Sequence, residues 1–341
     1  MNSVFPRYIR DTSDSFHHLS LFRYHFLKTG AMASKLLNIV FMGNPDFSVP
    51  SLECLASSRH NLQAVVTGSD KRRGRGGDRT PSPVKSAALN RSLRVIEADD
   101  MRSESFQREL AALHPDLLVV VAYKLLPPAV LSIPAIGSLN LHASLLPKYR
   151  GAAPIHWALI NGETETGCTV FLLDEGMDTG SILHQKKTSV GLLETTGDVY
   201  NRLKVTGAEL LVKSVDEIAE GTHQKKSQDE HLATKAPKIT PDDARIQFRR
   251  EAMAVHNFIR GMSPFPGAWT LHEGRKLKIF RTEPAPQIRL EPGKAEIVSG
   301  TAYAGCLDGS VALREVQPEG KKQMSGMDFL NGLGGNTILS T

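Results

Sequence analysis

The first half of the chain alternates short apolar runs with stretches of helical spacing. Residues 36–42 are an apolar run that stops at Gly43, which predicts a buried first strand. A turn over 43–47 leads into a helix over 48–56 with Pro50 in its first turn. A second strand over 62–67 makes the opening a doubly wound βαβ unit. Helical spacing over 103–114 precedes a Val-rich buried strand over 116–122. Residues 138–144 then alternate, with Leu139 and Leu141 on one face and Asn140 and His142 on the other. A helix from Pro154 to Ile160 and a hairpin of strands 168–174 and 183–187 follow. The next helix is long and amphipathic, over 196–220, with Thr196 as its cap and Val199, Leu203, Leu210, Leu211, Val215 and Ile218 on its apolar face.

Beyond residue 222 the pattern changes. Residues 223–230 are polar and read as a linker. Residues 243–260 have helical spacing. Short strand-like pieces over 270–272, 276–282, 295–298, 302–307 and 311–316 then suggest a small barrel. The Gly-rich stretch 331–336 is expected to fray. The domain plan is therefore an extension over 1–35, an α/β domain over 36–222, a linker over 223–240 and a β-barrel domain over 241–341.

The extension carries Phe16, Leu19, Phe22 and Phe26 at helical spacing beside Arg7, Arg10, Arg23 and Lys28. Two readings stand: a mitochondrial transit peptide, or a leader upstream of a start at Met32. The second gives a cytoplasmic protein. No apolar run approaches the roughly 20 residues of a membrane span. The three cysteines, Cys54, Cys168 and Cys306, have neither paired nor metal-like spacing, which speaks for a reducing compartment and against zinc or a disulfide framework.

A net charge of +5 says little by itself, but its distribution says more. Lys71, Arg72, Arg73, Arg75 and Arg79 are interleaved with glycines and face only Asp70 and Asp78 nearby in sequence. Such a segment is either a solvated loop or one that closes on a phosphate backbone. Arg249, Arg250, Arg260, Arg275, Lys276, Lys278, Lys321 and Lys322 offer the same two readings in the second domain.

The candidate chemistry lies at Asn140, His142 and Asp178. Asn140 and His142 sit side by side at the carboxyl end of a strand, where open α/β sheets place ligands. Asp178 stands in the glycine-flanked turn that follows the next strand. An amide, an imidazole and a carboxylate on one point can polarise a carbonyl, stabilise an oxyanion and move a proton. His142, Asp174 and Asp178 have no familiar metal spacing, and no G-x-S-x-G elbow surrounds Ser144. The G-x-G-x-x-G dinucleotide fingerprint is absent after the first strand.

Asn140-Leu-His142, Ser144-Leu-Leu-Pro147, Arg150-Gly-Ala-Ala-Pro-Ile155 and Gly176-Met-Asp-Thr-Gly180, in this order and spacing, resemble the folate-dependent formyltransferases. Within them the chain is most similar to those acting on methionyl-tRNA, from about residue 37 to about 330. The resemblance implies a Rossmann-like catalytic domain and an OB-like, tRNA-holding carboxyl-terminal domain. It implies transfer of the formyl group of 10-formyltetrahydrofolate to the α-amine of initiator methionyl-tRNA. Asn140, His142 and Asp178 would be catalytic, and Ser144, Leu145, Leu146 and Pro147 would line the folate pocket. Lys71, Arg72, Arg73 and Arg75 would contact tRNA. No metal is implied, and a monomer is expected. One departure stands out, because many such proteins have glycine after the tyrosine where this chain has Lys124 directly after Tyr123. Two other readings remain at this stage: a formyltransferase for a small amine, such as a sugar nucleotide or glycinamide ribonucleotide, and a catalytically retired RNA-binding protein.

Overall fold

The opening apolar run becomes an interior strand of a seven-stranded sheet. A computed structural model describes residues 35–72 and 79–340 of the chain. Of the extension expected over 1–35, with its two readings, all but Lys35 lies outside the described residues, as do Arg73 and Arg75. The first strands are β1 (Asn38–Gly43), β2 (Asn61–Thr67), the short pair β3 (Lys71–Arg72) and β4 (Arg79–Thr80), and β5 (Val95–Glu97). They are followed by β6 (Leu117–Val121), β7 (Gly137–His142), β8 (Glu165–Leu172) and β9 (Ile182–Ser189). The large sheet has the order β5-β2-β1-β6-β7-β8-β9, parallel as far as β7 and antiparallel from there on.

The chain moves outward from β1 to β5 and then returns to β6 on the other side of β1. The order therefore reverses between β1 and β6, and a crevice opens at their carboxyl ends. The helices of this domain are α1 (Val49–Ala56), α2 (Pro83–Asn90), α3 (Glu104–Ala111), α4 (Pro128–Leu131), α5 (Pro154–Ile160) and α6 (Thr196–Glu220). Ile39, Phe41, Val119, Leu139 and Leu141 pack with α1, α2 and α6 on one face of the sheet. Val40, Met42, Leu118 and Val120 pack with Phe106, Leu110 and Val130 on the other. Covering both faces is what makes β1 and β6 continuous apolar runs. The cap of α6 is Thr195, one residue before the expected Thr196. The Thr195 side chain accepts from the Asp198 N–H, and the Asp198 carboxylate accepts from the Thr195 N–H, which needs a spacing of three.

The second domain holds α7 (Ala252–Met262), β10 (Ala268–His272), β11 (Arg275–Ala285), β12 (Lys294–Val298), β13 (Thr301–Gly305), β14 (Ser310–Pro318), α8 (Gly326–Asn331) and β15 (Asn336–Ile338). Its strands form an antiparallel sheet in the order β10-β11-β14-β13-β12-β15. Register shifts around Arg281 bend β11 against β14. Ser340 then donates its N–H to the Leu271 carbonyl at 2.9 Å, carrying the chain from β15 back to β10. The sheet curls on itself in the OB-like manner expected.

Two expectations need correction. The helix expected over 243–260 begins only at Ala252. Asp242–Ala244 make one 3-10 turn, Arg245 bridges to Trp269 of β10, Ile246 donates its N–H to the Trp269 carbonyl at 2.8 Å, and Phe248 is fully buried. The stretch 331–336 is a turn rather than a frayed end: Leu333 and Gly335 both donate to the Leu330 carbonyl before β15 joins the sheet.

Candidate active site

Alternation along β7 sends Leu139 and Leu141 into the core and leaves Asn140 and His142 on the opposite face, across from Phe171 and Thr169 of β8. The chain beyond β7 then folds back beneath them. Thr169 Oγ1 donates to the Ser144 carbonyl at 2.7 Å and accepts the Leu146 N–H at 3.1 Å. Ser144 Oγ donates to the Lys148 carbonyl at 2.6 Å. The fold-back ends at Tyr149, which has a φ of +62°.

That geometry aims the Tyr149 carbonyl at His142, whose Nε2 lies 2.8 Å away. A carbonyl only accepts, so Nε2 carries the proton and Nδ1 is left for chemistry. Nδ1 faces Asp178 Oδ2 at 3.7 Å, within ion-pair range but too long for a hydrogen bond. The ring is thus oriented by a backbone carbonyl, and the carboxylate supplies charge beside its open nitrogen. Asp178 itself has a φ of +57°, which a short polar side chain tolerates, and its Oδ2 accepts the Gly151 N–H at 2.8 Å. Asp174 Oδ1 fastens the same turn, accepting from the Gly176 N–H at 3.0 Å and from Thr179 Oγ1 at 2.6 Å. A Cβ on Gly176 would lie 2.0 Å from Thr179 Oγ1, so only glycine fits there.

Asn140, His142 and Asp178 all line one cavity of about 530 Å³ at the carboxyl ends of β1, β6 and β7. Its wall is largely apolar, with Phe47, Val120, Leu125, Leu126, Leu131, Leu173 and Met177. The Asn140 amide has no hydrogen-bond partner among the described residues, so it is free to serve a ligand. The loop after β6 is tied to the chain that follows β5. Lys124 Nζ donates to the Asp99 carbonyl at 2.7 Å and the Ala98 carbonyl at 3.2 Å. Tyr123 donates to the same Ala98 carbonyl, and burial with Asp99 nearby pushes its hydroxyl up to about 12. Lys124 therefore fits this turn by using its ammonium as a staple.

The expected folate residues Ser144, Leu145, Leu146 and Pro147 are not on the cavity wall. Ser144 is fully buried in the fold-back, and Leu146 packs against Phe171 and Ile182. The apolar wall comes instead from 120–126, Leu131 and Leu173. Sequence reasoning also missed the groups that hold the site together. Arg150 donates to Gln228 Oε1 at 2.8 Å and to Glu230 at 2.7 and 2.8 Å. Gln228 Nε2 donates to the carbonyls of Asp178 and Gly180, both at 2.8 Å. Thr234 Oγ1 accepts the Tyr149 N–H at 2.8 Å, and Ala236 exchanges backbone bonds with Arg150 and Ala153. The polar stretch read as a linker is the outer brace of the site. A polar run carries no periodic signal of such a role.

Lys71 and Arg72 pair with Thr80 and Arg79 at the root of the basic hairpin. That root is tied down: Ser69 donates to Asp99, and Lys85 pairs with Asp70 at 2.7 Å and Glu97 at 2.6 Å.

The open sheet, its crevice and the curled second domain match the class of formyl transferases. The family model described as formyl transferase matches residues 37–215, and the model for the formyl transferase carboxyl-terminal domain matches 238–334. Methionyl-tRNA formyltransferase of Chlorobium phaeovibrioides is 43% identical over 303 residues, covering 87% of this chain and 95% of its own length. That of Geobacter metallireducens is 40% identical over 298 residues, covering 87% and 96%. The chain belongs to the methionyl-tRNA formyltransferase family. Solved structures share the fold at low identity. An N-formyltransferase from Helicobacter canadensis in complex with folinic acid and dTDP-3-aminofucose superposes with a TM-score of 0.63 at 19% identity, covering 83% of this chain and all of its own. HypX from Aquifex aeolicus in complex with tetrahydrofolic acid gives 0.60 at 17%, covering 87% of this chain and 47% of its own.

Proposed function

We propose that this enzyme transfers the formyl group of 10-formyltetrahydrofolate to the α-amine of initiator methionyl-tRNA, with Asn140, His142 and Asp178 as its catalytic groups. The observation carrying this reading is the Asn140 amide, without a hydrogen-bond partner among the described residues, beside an imidazole whose Nδ1 is open, on the wall of one mainly apolar cavity. An apolar slot with few polar groups suits a pterin, and the wall from Val120 to Leu126 is where this chain would hold it.

The neutral amine attacks the formyl carbon, and the carbonyl electron pair moves onto oxygen. Asn140 donates its amide N–H to that oxygen. His142, when protonated at Nδ1 as well, adds a charged donor with Asp178 balancing its charge. The amine then loses a proton, the folate nitrogen gains one, and the bond between that nitrogen and the formyl carbon breaks. His142 Nδ1 would relay the proton, directly or through water, with the Asp178 carboxylate 3.7 Å away to balance its charge. Lys71, Arg72, Arg73 and Arg75 would engage the phosphate backbone of the tRNA.

The test is a formylation assay with 10-formyltetrahydrofolate and, in parallel, charged initiator tRNA, free methionine and an amino sugar nucleotide. Product only on the charged tRNA is expected. Product on a small amine would keep the catalytic groups and overturn the acceptor; no product on any would overturn the whole reading.

A further inference from the structure

The segment 263–267 joins α7 to β10, and the fold fastens it on three sides. Gly197 at the start of α6 donates its N–H to the Ser263 carbonyl at 3.1 Å, and a Cβ on Gly197 would lie 2.7 Å from Pro264. His156 Nε2 donates to the Phe265 carbonyl at 3.0 Å. Lys278 Nζ donates to the Pro266 carbonyl at 2.9 Å. His156 lines the catalytic cavity, and so does Tyr200, one helical turn beyond Gly197. The segment therefore stands at the rim of that cavity.

At its centre Phe265 is 74% exposed. A lone exposed apolar residue is ordinary. This one differs because its backbone is clamped, a proline on each side restricts it further, and it stands at the rim of the cavity where chemistry occurs. A cation lies beside it: Lys278, whose Nζ holds the Pro266 carbonyl, with Lys276 two residues along the same face of β11 and its ammonium 4.4 Å from the centre of the Trp269 ring. A rigid aromatic surface next to positive charge is how proteins hold unpaired nucleotides, the ring taking a base and the cations the backbone.

We infer that Phe265 is a stacking platform for an unpaired base near the 3′ end of the tRNA, which steers the aminoacyl end past His156 to Asn140 and His142. The inference rests on the methionyl-tRNA reading, since only an acceptor carried on a nucleic-acid end must thread this rim. Phe265 is then a positioning residue contributed by the second domain to a reaction performed in the first.

The experiment crosses two changes. Wild-type enzyme, Phe265→Ala, Phe265→Leu and Phe265→Trp are titrated with uncharged initiator tRNA, either intact or lacking its unpaired 3′-terminal nucleotides. Phe265→Ala and Phe265→Leu are expected to weaken binding of intact tRNA by about 5- to 150-fold, the range for one lost base stack. Phe265→Trp keeps wild-type affinity, and all four proteins bind the trimmed tRNA alike. In turnover the alanine variant raises KM for methionyl-tRNA and leaves kcat, the folate KM and Tm unchanged. Equal loss on both tRNAs, no loss on either, or a wild-type self-association that disappears in Phe265→Ala would overturn the platform alone. A wild-type protein that binds neither tRNA would overturn the methionyl-tRNA reading together with it.

Discussion

One ring nitrogen of His142 is committed and the other is not, and that asymmetry decides what the residue can do. The Tyr149 carbonyl holds Nε2–H at 2.8 Å, so the proton that can be gained or lost sits on Nδ1, toward Asp178 and the cavity. Asn140 supplies a donor that never changes charge. Each should be needed separately, because one stabilises the oxyanion throughout and the other also moves a proton. Asn140→Ala and His142→Ala are each expected to lower single-turnover formyl transfer on the order of 10²-fold or more, the scale of one lost oxyanion donor. Folate binding, read by fluorescence titration, should change little in either. Near-normal turnover in both variants would remove these residues from the mechanism.

At the scale of elements, the segment after α6 is a brace. Gln228 holds the two carbonyls of the turn that carries Asp178, and Arg150 holds Gln228 and Glu230 in place. Gln228→Ala removes both bonds and lets Asp178 drift from His142. Positioning losses of this kind cost about 10- to 100-fold in turnover, so kcat should fall by that much while folate affinity holds. An unchanged kcat would show that Gly151 and the Asp174 staple suffice to place Asp178. None of this brace was legible in the sequence. Strands β1, β6 and β7 were, because apolar runs and strict alternation are local signals. The shared face of Asn140 and His142 was legible for the same reason, and the turn carrying Asp178 from its flanking glycines; the structure brings all three to one cavity. That Ser144–Pro147 fold back outside the cavity lining was not legible: apolar residues that pack under a loop and apolar residues that face a cavity look alike until the chain folds back. The region before α7 was read as helix because its spacing fits one, and pairing of Ile246 with β10 overrides that propensity.

The whole molecule is joined by a small set of buried polar groups, and these set its response to pH. Arg260, pulled down by burial, donates to the Gly191 carbonyl at 3.0 Å, the Glu194 carbonyl at 3.3 Å and Asn257 Oδ1 at 2.8 Å. Beside it His256 Nε2 donates to the Leu192 carbonyl at 2.8 Å and Nδ1 accepts from Thr282 Oγ1 at 2.9 Å. Both nitrogens are satisfied by the neutral ring. Burial holds the His256 pKa below its ordinary 6.5; the bond to the Leu192 carbonyl opposes this, the Arg260 charge adds to it, and Glu283 opposes more weakly. In the unfolded chain the ring titrates near its ordinary value, so as pH falls below about 6.5 the unfolded state takes up a proton that the folded state refuses. The stability of the junction is thus full above that pH and is lost as pH falls toward the folded-state pKa. His60 and His156, also held low by burial, add to the loss with the same sign. Tm should therefore drop between pH 7 and pH 5, and His256→Gln should make the drop shallower. Glutamine can donate to Leu192 and accept from Thr282 without titrating, so the variant separates protonation from lost hydrogen bonds. A His256→Gln protein with the wild-type slope would assign the pH response to the other two histidines. A shallower slope would place it at the contact that seats the second domain against residues 191–194, just ahead of α6 and Tyr200 on the cavity wall.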